Sequence, residues 1–590
     1  MLKASEEYAG RLAAREGRVA HFERIHIRLG NLRLAIFAAV VLVAWFSFHS
    51  HLLSSWWLLV PAAVFLAAGV YHSRILERKS LAERAVMVYK QGLARIEDRW
   101  AGTGSTGDRF NDPHHVYAAD LDLFGNGGLF QLLSQARTRM GEDRLAGWLL
   151  APSPVEQIRQ RHQAATELRI KLDLREDLAV LGEDARIGVH PEALIRWAES
   201  PNRLERRWMR VVSPLLALCA AGTAIYWGLR GHPTPLLIVL MVEAILSRYV
   251  RPHMDEIFHG TEHQFEDLEL LSGMLARMEG ERFESPRLRS LIEQLRSHHL
   301  PGSQAISRLR TIVDFIASRD NTFVQLLNLP LLYSVQVAYA AEAWRREHGT
   351  AVRRWLDVIG EIEALLSLAA YSYERPADPF PQFADAAACF EAKLLGHPLL
   401  AASRCVRNDL AVCGETRVLL LSGSNMSGKS TLLRAVGINS VLAMAGAPVR
   451  AEYLKLTPLR VGASIRVNDS LQEGSSRFYA EITRLRQIFD LASDDMPVLA
   501  LLDELLQGTN SHDRKVGAEG VVRALLERGA IGLISTHDLA LTDVAAGHVR
   551  NVHFEDEFRD GQISFDYKLR EGVVTKSNGL ELMRSIGLEV

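Results

Sequence analysis

The sequence predicts a multidomain chain with two transmembrane helical hairpins, an α-helical lever body, and a C-terminal α/β domain with a parallel sheet. Three observations carry this. Apolar runs, three of the four uncharged, come in pairs, within residues 32–72 and again within 211–250. The stretches around them space apolar residues at three and four, with charge between. Beyond about residue 385, short apolar runs alternate with helical patterns, and one of them leads into a glycine-rich turn.

A chain of 590 residues accommodates several domains. With 48% hydrophobic and 23% charged residues it has the composition of a folded protein. The net charge of -2 supplies no argument for a polyanionic partner, although a local basic face is compatible with it. The cysteines are Cys219, Cys389, Cys405 and Cys413. They lack CxxC or Cys/His ligand spacing, which argues against zinc and points to free thiols in a reducing compartment.

Residues 1–31 form a charged N-terminal helix that precedes the first hairpin, residues 32–72. Its two arms are "LAIFAAVVLVAWFSF" and "LLSSWWLLVPAAVFLAAGVY", both uncharged and joined by "HSH". A membrane-spanning helix needs roughly 20 apolar residues, so the second arm suffices and the first needs its flanks. Trp45, Trp56 and Trp57 sit near the hairpin tip, where aromatic belts form. A charge-rich stretch of about thirty residues precedes the first arm and no small-residue cleavage site follows it, so a cleaved signal peptide is not expected.

The second hairpin, residues 211–250, pairs "VVSPLLALCAAGTAIYWGL" with "LLIVLMVEAILSRYV". The latter carries Glu243 and is the weakest of the four runs. A carboxylate inside a bilayer is expensive and functional by default; otherwise this helix lies partly in water or in protein. Arginines flank both hairpins: Arg24, Arg28 and Arg33 before the first, Arg74 and Arg78 after it, Arg203, Arg206, Arg207 and Arg210 before the second, Arg248 and Arg251 after it. The positive-inside rule then puts both termini and all large segments in the cytoplasm of a multi-pass protein of a bacterial-type inner (plasma) membrane. The rival reading is two buried core hairpins in a soluble protein.

Residues 73–210 and 251–380 read as a helical body interrupted by the second hairpin. "YERPADPFPQF" breaks the last helix and reads as a linker. From 385 to 590, "RVLLLSGS", "PVLALLDE" and "AIGLIST" have the continuous apolar character of strands buried on both faces of a parallel sheet.

Gly423, Ser424, Asn425, Met426, Ser427, Gly428, Lys429 and Ser430 fit G-x-x-x-x-G-K-[ST], and Thr431 follows. An apolar strand precedes the motif and a helix follows. Glycines let backbone N–H groups approach phosphate oxygens, and the helix N-terminus adds positive potential. Lys429 is placed to reach the outer phosphates and Ser430 to ligate Mg²⁺. "VLALLDE" supplies Asp503 as a second Mg²⁺ ligand and Glu504 to activate the attacking water. "GLISTHD" ends a third strand at His537, which is positioned to sense the γ-phosphate or bind that water. The bland readings, a solvated strand end for the acids and a capping histidine, lose weight because all three sit in one α/β frame. ATP with Mg²⁺ is the implied ligand.

Taken together, "SGSNMSGKSTLLR", "NDSLQEGSSRFYAEI", "LLDELLQGTNSHD" and "STHD" resemble the ATPase domain of MutS-family proteins. "LGHPLL" resembles its lead-in, "ADLDLFGNGGLFQLLSQARTRMGEDRLAGWLL" the start of the MutS core domain and "GEIEALLSLAAYS" its end. The resemblance implies a homodimer through the ATPase domains with composite sites. Ser476 would then reach the nucleotide of the partner subunit, and the helix with Phe478 and Glu481 would relay that contact. Ser476 also reads as a cap of that helix. No segment corresponds to the mismatch-reading domain, and the second hairpin lies where DNA-clamping helices would project. Two functions remain open. One is a membrane-anchored ATPase whose dimer encloses DNA, lined by Arg137, Arg139, Arg144, Arg159 and Arg161. The other is an ATP-driven membrane transducer without DNA, in which Glu243 matters.

Overall fold

A computed structural model of the chain describes residues 2–49, 54–188, 191–201, 204, 208–258, 268–297, 300–319, 321–385, 387–424, 426–466, 477–492, 496–507, 511–537, 547–559 and 562–574. Asn425 and Ser476, together with Arg203, Arg206 and Arg207, lie outside the described residues. In chain order the helices are α1 (Leu2–Phe48), α2 (Leu59–Ile96), α3 (Leu129–Leu133), α4 (Arg139–Leu150), α5 (Val155–Leu168), α6 (Leu172–Gly188), α7 (Pro191–Glu199), α8 (Met209–Arg230) and α9 (Thr234–Phe258). They continue as α10 (Leu268–Glu279), α11 (Pro286–Gln294), α12 (Gly302–Ser318), α13 (Thr322–Asn328), α14 (Tyr333–Glu374), α15 (Lys429–Ala445), α16 (Arg477–Leu491) and α17 (Ser511–Glu527). The strands are β1 (Arg296–Ser297), β2 (Leu300–Pro301), β3 (Gln382–Phe383), β4 (Phe390–Leu395), β5 (Asn408–Val412), β6 (Val418–Ser422), β7 (Tyr453–Leu456), β8 (Arg460–Ser464), β9 (Val498–Leu502), β10 (Ile531–Thr536), β11 (Val549–Arg559) and β12 (Gln562–Glu571).

The chain divides into two compact units. One comprises Met1–Leu133, Leu149–Val155 and Ala370–Val590; the other comprises Ser134–Trp148 and Glu156–Ala369.

In the first unit, α1 and α2 run antiparallel over most of their length. Tyr8 meets Tyr89 edge-on at 5.6 Å and stacks on Tyr373 at 5.5 Å. Arg95 at the end of α2 grips Glu374 through two bonds of 2.7 Å, so the last turn of α14 is pinned to this hairpin. Higher up, His26 Nδ1 lies 2.7 Å from His72 Nε2, and Arg33 reaches the other ring nitrogen at 3.1 Å. Beyond that cluster the outward faces are apolar and exposed, as at Leu34 and Leu66.

The rest of the first unit is an α/β domain. Its six-stranded sheet has the order β12-β11-β6-β10-β9-β8, with only β12 antiparallel to its neighbour. Every residue of β6, β9 and β10 is buried, as expected of strands covered on both faces. A second sheet, β3-β7-β4-β5, lies in the same unit. α15 is enclosed almost completely: fourteen of its residues are buried, from Lys429 to Ala445. Gly437 lets it close on its neighbours, because a Cβ there would come within 2.6 Å of Leu121 and 2.8 Å of Leu501.

Residues 100–128, read from the sequence as part of a helical body, form turns that pack on this domain. The glycines and aspartates of "AGTGSTGDRFNDP" disfavour a helix, and Asp120 accepts from the backbone N–H groups of Ile465 and Arg466, both at 2.7 Å. The stretch read as a linker is also packed. Asp378 within it is buried against Arg450, which bonds its two oxygens at 3.2 and 3.3 Å. The free-thiol reading holds only for Cys219 and Cys405. Cys389 and Cys413 form a disulfide, because Phe390 pairs with Val412 across β4 and β5 and brings the flanking Cα atoms to 4.4 Å.

In the second unit, Glu363 of α14 is buried and accepts from the backbone N–H groups of Arg137 and Thr138 and from the Thr138 hydroxyl. Arg287 grips Glu361 at 2.6 and 2.7 Å. Arg137 and Arg161 are buried, the latter over the Trp148 ring at 3.9 Å, so these two do not line a solvent-facing surface. α8 and α9 form a helical hairpin whose small residues Ser213, Ala217 and Ala220 face inward, while Leu218 and Leu229 point out. Among the described residues three helices are long and apolar enough to cross a membrane: α1, the α2 segment from Trp56, and α8. α9 does not qualify among them, since Glu243, Arg248 and Arg251 interrupt its apolar run.

Replacing Asp378 by Ala leaves the Arg450 guanidinium buried without its carboxylate. We expect a loss of about 3–5 kcal/mol in urea unfolding followed by circular dichroism, largely restored in Asp378→Ala/Arg450→Met.

Candidate functional site

The interior strand β6 ends in the glycine-rich turn, and α15 begins at Lys429. Gly423 and Gly428 have φ of +149° and +107°, conformations that side chains resist, so the turn that aims its N–H groups at the helix start needs glycine at both ends. Met426 between them is left-handed and exposed. Lys429 is buried and its ammonium donates to the carbonyls of Gly423 and Ser424, each at 2.8 Å. Burial pushes this ammonium below its ordinary range, against the pull of Glu504, Asp503 and Asp556.

The acidic pair follows β9. Ser535 on the adjacent strand β10 donates to Asp503 and accepts from the Glu504 N–H at 3.0 Å, which locks both acids to the sheet end. Glu504 and Leu506 both have positive φ, +52° and +59°. Such strain persists where the surroundings fix it, and here Glu481 of α16 accepts from the Leu506 N–H at 2.6 Å. Gln507 bonds Glu504 and lies 3.3 Å from His537 Nδ1; His537 itself is 3.8 Å from Glu504. The sequence-predicted Lys429, Ser430, Thr431 and Glu504 therefore line one cleft, with Asp503 and His537 beside Glu504.

That cleft has a volume of about 730 Å³, the size of a site for a nucleotide-like molecule. Its lining combines the polar Lys429, Ser430 and Glu504 with the apolar Val406, Phe554, Phe565 and Tyr567, and Tyr567 and Phe554 stand directly against Gly428 of the turn. Asn408 ties the two walls together: its amide donates to the Tyr567 carbonyl at 3.0 Å and accepts from the Leu569 N–H at 2.9 Å. Sequence reasoning missed these apolar residues, Asn408 and Gln507, because none of them stands in a motif with the loop. "LGHPLL" was the one signal, since Leu395, His397 and Leu400 also border the cleft.

The residues fit a bound phosphate chain with Mg²⁺. The Oγ atoms of Ser424 and Ser427 are buried and have no partner among the described residues, so each has a free hydroxyl proton where phosphate oxygens would sit. Ser430 and Asp503 are hard oxygen donors, and Mg²⁺ takes one or two protein ligands plus phosphate and water.

A parallel sheet that feeds its central strand through such a turn into an enclosed helix, with acids at the next strand end but one, is the frame of phosphate-loop α/β domains. Within that class the match is narrower. Residues 419–589 fit the family model of MutS domain V. Residues of the chain are 35% identical over 191 positions to the DNA mismatch repair protein MutS of Streptococcus uberis, covering 31% of this chain and 22% of that protein. They are 35% identical over 193 positions to the endonuclease MutS2 of Thermus thermophilus, covering 32% and 25%. Against the MutS of Thermus thermophilus the identity is 28% over 303 positions, 51% of this chain and 36% of that protein. The C-terminal domain of the chain thus belongs to the MutS domain V family, and the chain spans about a fifth to a third of the length of these relatives.

Removing the orphaned hydroxyls separates the two roles of this turn. Ser424→Ala and Ser427→Ala should leave nucleotide-free stability unchanged or raise it by up to about 1 kcal/mol, since an unsatisfied buried group disappears. The same variants should weaken nucleotide binding roughly tenfold, read by calorimetry, as one hydrogen bond to a charged oxygen is lost.

Proposed function

We propose that the protein is a membrane-anchored MutS-type ATPase that binds ATP with Mg²⁺ at composite sites of a homodimer and couples hydrolysis to DNA binding. The observation that carries the ATPase reading is the shared cleft of Lys429, Ser430 and Glu504 beside the Asp503–Ser535 contact. Lys429, Ser424, Ser427 and the backbone of the turn would hold the phosphates. Ser430 and Asp503 would hold Mg²⁺, which neutralises charge on the phosphates when bound. Glu504, held by Gln507 and backed by His537, would orient and deprotonate the attacking water. Ser476 of the partner subunit would complete the site in this reading. The MutS relatives support the dimer and the DNA.

The anchor reading is supported by the apolar helices α1, α2 and α8 and by their basic flanks; by the positive-inside rule the ATPase domain and both termini would then face the cytoplasmic side of a bacterial-type inner membrane. The exposed Arg139 and Arg159 and the half-buried Arg144, 3.4 Å from Asp357, remain candidates for phosphate contact, whereas Arg137 and Arg161 do not. One observation favours the second reading, an ATP-driven membrane transducer without DNA: Glu243 is fully buried, and neither carboxylate oxygen has a partner among the described residues.

Phosphate release by the purified protein should fall about 100-fold or more in Glu504→Gln, with nucleotide affinity retained. Equal background rates in both would remove the hydrolase reading. With ATP, that trapped variant should bind duplex DNA with log K falling linearly in log salt, by about 0.9 per phosphate neutralised. If linear, mismatched and branched duplexes all fail to bind, the transducer reading takes over. Glu243→Leu should then change the ATPase rate in bilayers without changing nucleotide affinity.

A further inference from the structure

Residues 322–341 contain no charged side chain. They are apolar enough to resemble a membrane span, but α13 meets α14 at 91°. The elbow is built, not frayed. Leu332 is buried in the left-handed region at φ +47°. The Asn328 side chain accepts from the Ser334 N–H and hydroxyl, both at 3.0 Å, and Gln336 donates to the Leu331 carbonyl at 2.6 Å.

α13 is turned the opposite way from a helix of a water-soluble domain. Its more enclosed positions are Val324 and Asn328. Its outer face carries Phe323, Leu326 and Leu327, which are 78%, 72% and 53% exposed. A helix covering a soluble core buries such residues and shows polar ones to solvent.

The position of this face names what covers it. α14 read backwards climbs beside the base of the α8–α9 hairpin. Arg345 contacts Ser200 and the Pro201 carbonyl, and six residues earlier the Tyr339 hydroxyl lies 3.1 Å from Met209 Sδ, at the first turn of α8. On the other side, Arg319 at the end of α12 sits over the Phe258 ring at the foot of α9, 4.9 Å away. Another six residues back along α14, about 9 Å of helix, brings the chain to Tyr333 and the elbow. Because Tyr339 is level with the first turn of α8, this sets the elbow about one to two turns into the uncharged stretch of α8 that runs from Val211 to Leu229. Trp208, at the charged end of that stretch, is exposed, as interfacial tryptophans are.

We infer that α13 is an interfacial helix, laid in the headgroup–acyl boundary of the bilayer beside the second hairpin, with Phe323, Leu326 and Leu327 as its lipid contacts. The inference rests on the membrane reading of α8. The right-angled elbow sets the helix across the direction of α14, and its inverted polarity suits an apolar medium on the outer side only.

The test places an environment-sensitive NBD label at Leu326→Cys in the full chain, with Cys219→Ser and Cys405→Ser removing the two free thiols. The protein is reconstituted in phosphatidylcholine vesicles with a minority of phosphatidylglycerol. The expected result is blue-shifted emission, quenched several-fold more by a nitroxide near the glycerol end of the acyl chain than by aqueous iodide. A label at Leu218→Cys, on the exposed face of α8, serves as the reference and should respond to a nitroxide near the methyl end. Quenching of the Leu326 label by iodide alone, or by neither agent, overturns the inference, the second outcome meaning that protein covers this face. If the Leu218 label also escapes both nitroxides, the membrane reading of the hairpin itself has failed, which the reference separates from failure at α13. Leu326 is on the surface, so the substitution leaves the core intact; a second label at Phe323 must give the same pattern.

Discussion

The enclosure of α15 is the constraint on which the C-terminal domain depends. A helix that is apolar on every side is stable only if every side is covered. The sheet covers one face; residues 117–124 and the strand-to-strand loop before β5 take others, through Leu121 against Gly437 and the Asn439 side chain on the Gly396 carbonyl at 3.0 Å. Three segments far apart in sequence are thereby fixed around the helix whose first residue is Lys429. Because the phosphate turn has one end in β6 and the other in α15, its geometry is set by this packing before any ligand arrives.

Buried ions do the fixing where apolar contact alone would leave the register open. Arg450 and Asp378 hold the segment after α14 against the second sheet, and Asn439 accepts from the Arg450 N–H at 2.7 Å, so the same helix is drawn in. Burial raises the Asp378 carboxyl despite its partner, a sign that desolvation outweighs attraction there. Glu363 in the other unit is the parallel case: it replaces missing helix partners for Arg137 and Thr138 at the start of α4. Each such group is a single point on which several backbone segments converge.

What the sequence revealed and what it hid divide along the range of the interactions. β6, β9 and β10, the turn and the acids at a strand end are local patterns, set by runs of five or six residues, and they stand where the spacing put them. The same holds for the apolar arms of α1, α2 and α8. Asp120 with Ile465, Asn408 with Tyr567 and Cys389 with Cys413 are pairs that only the folded sheet brings together, and one sequence carries no record of them. α13 is a different kind of omission. Its uncharged stretch is visible, yet Gln325, Asn328 and Pro330 break the pattern into pieces too short to read as a span, and the elbow at Leu332 shows why no straight span forms.

The antiparallel pair of α1 and α2 has a consequence for distance. Tyr8, where the hairpin is pinned to Tyr373 and Glu374, lies 26 residues before Leu34, the first residue of the apolar arm. At 1.5 Å per residue this is roughly 40 Å of continuous helix. In the proposed reading, with the arm in lipid, the α/β domain would be tethered to the foot of a stalk rather than to the membrane surface. The stalk would then work as a ruler, its clearance beneath the bilayer fixed by helix rise and stiffened by the Lys79–Glu23 and Lys90–Glu16 pairs along it. DNA bound by the domain would have to fit, or thread through, that gap.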